Sequence, residues 1–208
     1  MAMSFGTLMK AFFKFGQGIV GKIFPPQKPQ ESVPQELLEP SKSPSPDQST
    51  WPSFSVDRST KVSDHFTLGE MCKSSTAERL GITNLPNEIE FKRLTTVAEK
   101  ILEPVRVHFD RPFAPNSAFR CSDLNKAIGS KASSQHCLGQ AVDFELAGIS
   151  NEEVARWVKE NLNFDQLILE FYDGKDPNSG WIHVSYVAED LNRNQALVYY
   201  GKSYALFE

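Results

Sequence analysis

Prolines divide this chain before any other feature does. Eight of its 13 prolines fall between residues 25 and 60 (Pro25, Pro26, Pro29, Pro34, Pro40, Pro44, Pro46 and Pro52), with serine, glutamine and glutamate filling much of the rest. Such a stretch cannot bury enough apolar surface to fold, and its prolines keep it extended and semi-stiff. Residues 25–60 are therefore read as a linker. The folded body is confined to residues 61–208, long enough for one domain with a real core, and residues 1–24 stand apart as an element of their own.

Those first residues carry a basic amphipathic pattern. Phe5, Leu8, Met9, Phe12, Ile19 and Ile23 fall near one helical face, with Lys10, Lys14 and Gln17 on the other. Lysines interrupt every apolar run, which argues against a secretory signal peptide and against a transmembrane span. A helix of this kind lies on a membrane surface or docks on a protein such as a virion component, and both readings stay open. The net charge is −4, but residues 1–30 hold four lysines and no acid, leaving 18 basic against 26 acidic residues, or −8, in the remainder. An acidic body argues against nucleic acid as a partner. Cys72, Cys121 and Cys137 form no disulfide framework and read as small buried hydrophobes.

Within the body, Thr67 and Glu70 make a capping box for a short helix, and residues 75–80 suggest a second. Asn87 opens the longest helix. Its stripe of Ile89, Leu94, Val97, Ala98, Ile101, Leu102 and Val105 predicts a buried face, with Pro104 kinking the last turn and His108 at the surface. Residues 113–119 read as a strand ending at Arg120, and Ser122 as the cap of a helix over 123–128. In the strand 141–146, Val142 and Phe144 point one way and Ala141 and Asp143 the other. Ser150 caps an amphipathic helix that turns Val154, Trp157, Val158 and Leu162 inward. Residues 164–171 and 181–187 flank a polar loop as a hairpin, and 196–200 form a last strand. Helices first and strands afterwards predict an α+β domain with a small antiparallel sheet flanked by helices.

Three polar residues sit where bland roles do not suit them. His136 lies in a small polar loop. Asp143 and His183 are embedded in apolar strands, where an unpaired polar group is costly. Two imidazoles and one carboxylate form the ligand set of a zinc site with an open fourth position. One zinc ion would satisfy all three. Cys137, beside His136, stays in the apolar reading, and His65, before an aromatic residue, reads as structural.

The pattern Ser134-x-His136-x-x-Gly139-x-Ala141-x-Asp143, followed by Trp181-x-His183 and preceded by the Arg120-containing segment 116–125, resembles the zinc D-Ala-D-Ala carboxypeptidases and related phage endolysin peptidases. The resemblance runs from about His65 to about Tyr200. It implies a Hedgehog/DD-peptidase-like fold and one zinc ion held by His136, Asp143 and His183. It also implies that Arg120 contacts the substrate or the negative charge of the tetrahedral intermediate, and that Ser134 and Gln135 bind substrate or orient His136. In the related enzymes an acid lies three residues before the second histidine, where this chain has Gly180. Glu170, between Leu169 and Phe171 on the facing strand, is the replacement general base, with Asp173 and Asp176 as loop alternatives. The activity expected is hydrolysis of peptidoglycan stem-peptide bonds, as a D,D-carboxypeptidase or an endopeptidase. The setting expected is the bacterial cell envelope or a phage virion, in lysis or in virion-associated wall degradation. Gly180 also supports a rival reading, a catalytically weak or inactive zinc-stabilised protein of the same fold that binds wall or builds the virion.

Overall fold

The computed structural model describes residues 54–208. The expected helix at 1–24 and the linker up to residue 53 lie outside the described residues. Residues 54–60, given to the linker by composition, already belong to the folded body. Gly69 N donates to Arg58 O at 2.7 Å, Leu68 N donates to Thr60 O at 2.8 Å, and the Phe54 ring meets Phe91 edge-on at 5.7 Å.

The helices come first: α1 (Leu68–Met71), α2 (Ser75–Leu80), α3 (Glu88–Val97), a π-helical turn (Ala98–Leu102) and α4 (Glu103–Phe109). Thr67 and Asn87 both close reciprocal capping boxes with the glutamate three residues on, which satisfies backbone donors that would otherwise be orphaned. The long helix buries Phe91, Leu94, Val97, Ala98, Ile101, Leu102 and Val105, while Ile89, placed in that stripe from its spacing, is 63 % exposed in the first turn. Pro104 falls in the first turn of α4, directly after the π turn, rather than in its last turn. A proline here removes the donor to the carbonyl four residues back and crowds it. The chain answers with the π turn just before, where Glu103 N reaches Ala98 O, and the helix then continues through Pro104.

After α5 (Ser122–Ala127) and a 3₁₀ turn (Gln135–Leu138) comes β1 (Ala141–Phe144), then α6 (Asn151–Asn161), β2 (Gln166–Glu170), β3 (Trp181–Ser185), β4 (Gln195–Tyr199) and β5 (Tyr204–Leu206). The expected cap Ser122 is the first helical residue; Cys121 holds the cap position and makes no side-chain cap bond. Residues 113–119 form no regular strand. Pro112 and Pro115 lack the N–H a ladder needs, and a single bridge, Ser117 to Asp143, remains.

The sheet runs β1-β3-β2-β4-β5 and is mixed. The hairpin β2–β3 is antiparallel as the loop between them predicts, but β4 lies parallel to β2. After β3 the chain returns to the start of β2, where Asn194 N donates to Phe164 O and Gln195 N to Asp165 O, so β4 sets out in the direction of β2. Directly paired residues share a face. Val142, Phe144, Leu167, Leu169, Ile182, Val184, Ala196 and Val198 fill one face and are all buried in the core, where α6 packs against β2 and β3. The other face carries Asp143, His183, Ile168 and Leu197 in one row across the strands, and Trp181, Glu170 and Tyr199 in the next.

Candidate metal centre

The edge strand β1 presents Asp143, and its neighbour β3 presents His183 directly opposite. The third group arrives from outside the sheet. Asp143 N donates to Ser117 O at 2.7 Å, so the segment leading to Arg120 lies along the free edge of β1. Arg120 N in turn donates to His136 O at 3.2 Å, hanging the 3₁₀ turn over the sheet. Gly139 closes that turn at φ +70°, and a Cβ there would stand 2.5 Å from Glu90 O in α3. The motif glycine is thus required twice, by its left-handed backbone and by the close approach of a helix.

His136 Nε2, Asp143 Oδ1 and His183 Nδ1 form a triangle with sides of 3.2, 2.8 and 3.3 Å. Tetrahedral zinc with bonds of about 2.0–2.1 Å separates its ligand atoms by about 3.3–3.4 Å. Among the described residues this is the one His/Cys/Asp/Glu group of metal-holding geometry.

The chemistry of the three atoms fits a cation. His136 Nδ1 stands 2.6 Å from Ala118 O and is therefore its protonated nitrogen, which leaves a lone pair on Nε2. Burial pushes the His136 pKa down, against the pull of Asp143, so the ring is neutral near pH 7. Burial alone would raise the Asp143 carboxyl. The two imidazoles packed against it outweigh burial and hold that group well below the usual carboxylate range. The contact from His136 Nε2 to Asp143 Oδ1 is then lone pair against lone pair. A divalent cation removes that conflict. The carbonyl of Ala118 and the guanidinium of Arg120 complete the outer ring of contacts that orients such ligands.

Arg120 is more occupied than its sequence reading implies. Its NH2 donates to Asp143 Oδ2 at 2.6 Å and its Nε to Ser117 Oγ at 2.9 Å, so it fixes the ligand carboxylate and leaves Oδ1 to the triangle. Gln135 is likewise tied. Its amide donates at 2.9 Å to Asp165, a carboxylate that also takes a two-bond clasp from Arg193 at 2.7 and 2.6 Å. Ser134 and Gln135 both line a cleft of about 660 Å³, together with Arg120 and His183 and the rings of Phe171, Trp181, Tyr199 and Tyr204.

Glu170 pairs with Trp181, not with His183; His183 faces Ile168, which puts Glu170 one row along the same sheet face. Its half-buried carboxyl is pushed up by burial and by Asp143, against the pull of His183 and Arg120. Gly180 has φ +70°, and a Cβ there would fall 1.8 Å from Glu170 O. No acid fits at that position in this hairpin. The loop alternatives are employed elsewhere: Asp173 Oδ1 accepts from Lys175 N, Asp176 N and Ser179 Oγ, and Asp176 Oδ1 accepts from Asn178 N. Of the cysteines only Cys72 is buried. Cys121 and Cys137 are half-buried, all three are free, and Cys137 lies outside the ligand cluster. His65 is structural, bonding Glu103 at 2.7 Å.

Sequence reasoning missed Ala118, Ser117, the Asp165–Arg193 clasp and the aromatic lining. A backbone carbonyl carries no sequence signal, and the rest depend on register across strands.

A family model described as Peptidase M15 matches residues 64–185, more than half of the chain, and spans every residue of the triangle together with Arg120 and Glu170. The chain belongs to the Peptidase M15 family. This is the family of zinc D-Ala-D-Ala carboxypeptidases, so the chain is a metallopeptidase by descent, and its His-Asp-His triangle is what a zinc peptidase of Peptidase M15 needs. No curated protein matches it.

Proposed function

We propose that this Peptidase M15 protein hydrolyses an amide bond of peptidoglycan stem peptides, at one zinc ion held by His136 Nε2, Asp143 Oδ1 and His183 Nδ1. The observation that carries this reading is the tight triangle of two imidazoles and a carboxylate beside a cleft, with a half-buried carboxyl on the same sheet face. Zinc, when bound, supplies a Lewis acid for the scissile carbonyl and makes attacking water acidic enough to act near neutral pH. Glu170 takes the proton of the attacking water and returns it to the leaving amine. Arg120 holds Asp143 in place through NH2 and Nε, and its remaining NH1 faces developing negative charge on the substrate. Ser134 supplies a hydroxyl for the substrate backbone from the edge of the cleft.

The motif likeness to phage endolysin peptidases supports a role in lysis or on a virion, acting at the bacterial envelope. The deciding experiment digests purified peptidoglycan with the full chain and reads the products by mass. New products that disappear in His136→Ala and His183→Ala proteins, with zinc content falling in step, support the reading. Intact peptidoglycan with zinc retained at full occupancy in both variants overturns it. Zinc binding without cleavage is the outcome for an inactive wall-binding or virion protein.

A further inference from the structure

One row of the sheet lies next to the metal row. Trp181 on β3, Glu170 on β2, Tyr199 on β4 and Tyr204 on β5 are directly paired, one with the next, on the face that bears His183. Two residues along a strand separate the rows, about 7 Å, and three strand spacings carry this one about 14 Å across the sheet. Phe171 joins it from the hairpin loop. Its ring packs against Trp181 and Tyr199 at 5.1 Å each, and Tyr199 packs against Tyr204 at 4.6 Å. The result is a continuous aromatic shelf on the cleft wall.

Three properties set this shelf apart from ordinary surface packing. Phe171 and Tyr204 remain 50 % and 56 % exposed beside the half-buried Trp181 and Tyr199, so the cluster presents ring surface to solvent. Phe171 holds its ring there from a left-handed backbone, φ +56°, a conformation costly for a bulky residue, where β2 enters the hairpin loop. Polar handles sit at the rim of the apolar surface. Tyr199 turns its hydroxyl away to Gly201 O at 2.8 Å, but no described side chain hydrogen-bonds the Trp181 indole N–H or the Tyr204 hydroxyl. The same cleft is also lined by Ile128 and by the polar side chains of Ser130, Lys131, Ser133 and Gln166.

We infer that this shelf is a saccharide subsite, which takes a sugar ring of the glycan strand while the attached stem peptide lies at the metal centre. A pyranose has a flat face of C–H groups and a rim of hydroxyls. That is the complement of exposed ring faces that carry an indole N–H and a phenol, in a cleft also lined by serine hydroxyls. A purely apolar partner would leave those donors unpaired when it covered them. The subsite rests on the wall-peptide reading above. It makes the enzyme selective for peptides still joined to glycan.

The test uses the full chain and two substrates, a disaccharide-bearing muropeptide and the same peptide freed of its sugar. It also measures, separately, binding of peptide-free glycan strands by calorimetry. Tyr204→Ala removes an exposed ring, and Phe171→Gly removes the other while easing the left-handed backbone. Each is expected to raise KM for the sugar-bearing substrate about tenfold relative to the free peptide, as loss of one aromatic contact predicts, with little change in kcat. Each should weaken glycan binding to a similar extent, and Tyr204→Phe should recover most of the loss. If the wild-type protein cleaves neither substrate but binds glycan in a Tyr204-dependent way, the shelf stands and the peptidase reading falls. If KM for both substrates rises equally, or glycan strands do not bind, the subsite is wrong.

Discussion

At the scale of single residues, the proposed mechanism separates groups that do chemistry from groups that hold them. Glu170 is the free carboxyl on the metal face, and only its ionised form accepts a proton. Glu170→Gln should keep the fold and the zinc but lose about 10²–10⁴-fold in kcat, as for a removed general base. Metal analysis alongside steady-state kinetics checks both halves, and near-normal turnover would move the role to another group. Because burial pushes the Glu170 carboxyl upward, the acid limb of the pH profile should lie above the ordinary glutamate value: the base is active above its pKa and lost as pH falls through it. Arg120 is the test of holding. Lysine offers one point charge where the guanidinium bonds both Asp143 and Ser117. Arg120→Lys should therefore weaken zinc binding about 10–100-fold by competition with a chelator, the range for a lost outer partner.

Elements carry the constraints that place those residues. The 3₁₀ turn bearing His136 is pinned by Gly139 against α3, and Gly139→Ala meets both a left-handed backbone and a carbonyl at 2.5 Å. Destabilisation of at least about 1–2 kcal/mol is expected from the backbone alone, read as a lower urea midpoint together with lower zinc occupancy. A second constraint joins the turn to the start of β2. Asp165 is buried, and Arg193 hydrogen bonds chiefly lower its carboxyl, with Gln135 adding to them against burial. A depressed folded pKa gives stability that is present above the unfolded value, about 3.9, and is lost as pH falls through the folded one. Asp165→Asn should thus lower the urea midpoint at pH 7, and the gap from wild type should shrink near pH 3.

Over the whole molecule, the core draws on both ends of the described chain, from Val62 to Phe207. Residues 54–60 tie in through Arg58, Thr60 and Phe54. A chain beginning at residue 54 should therefore fold, unfold in one cooperative transition and cut soluble muropeptides like the full chain. The amino-terminal segment is expected to act as an anchor, so the shortened chain should lose binding to anionic vesicles or virion particles. Vesicle binding by the full chain should weaken as salt rises. Unfolding of the shortened chain would place residues 1–53 in the core, and binding to a virion protein without vesicle binding would make them a docking element.

Much was legible in the sequence because it is a matter of local chemistry. The capping box at Thr67, the helix start at Asn87, the alternation that splits Val142 and Phe144 from Asp143, and the hairpin before Trp181 all follow from neighbours a few residues apart. The clustering of Asp143 and His183 was legible for a related reason: both are polar groups inside apolar strands, and such groups need a partner. Tertiary structure alone decided the rest. Pairing across strands set Glu170 against Trp181, placed β4 parallel to β2 and assembled Trp181, Tyr199 and Tyr204 into one row. Packing made Ile89 surface, set a π turn ahead of Pro104, and left Gly180 no room for an acid. Register and close approach arise between segments far apart in the chain, and no spacing within a single segment encodes them.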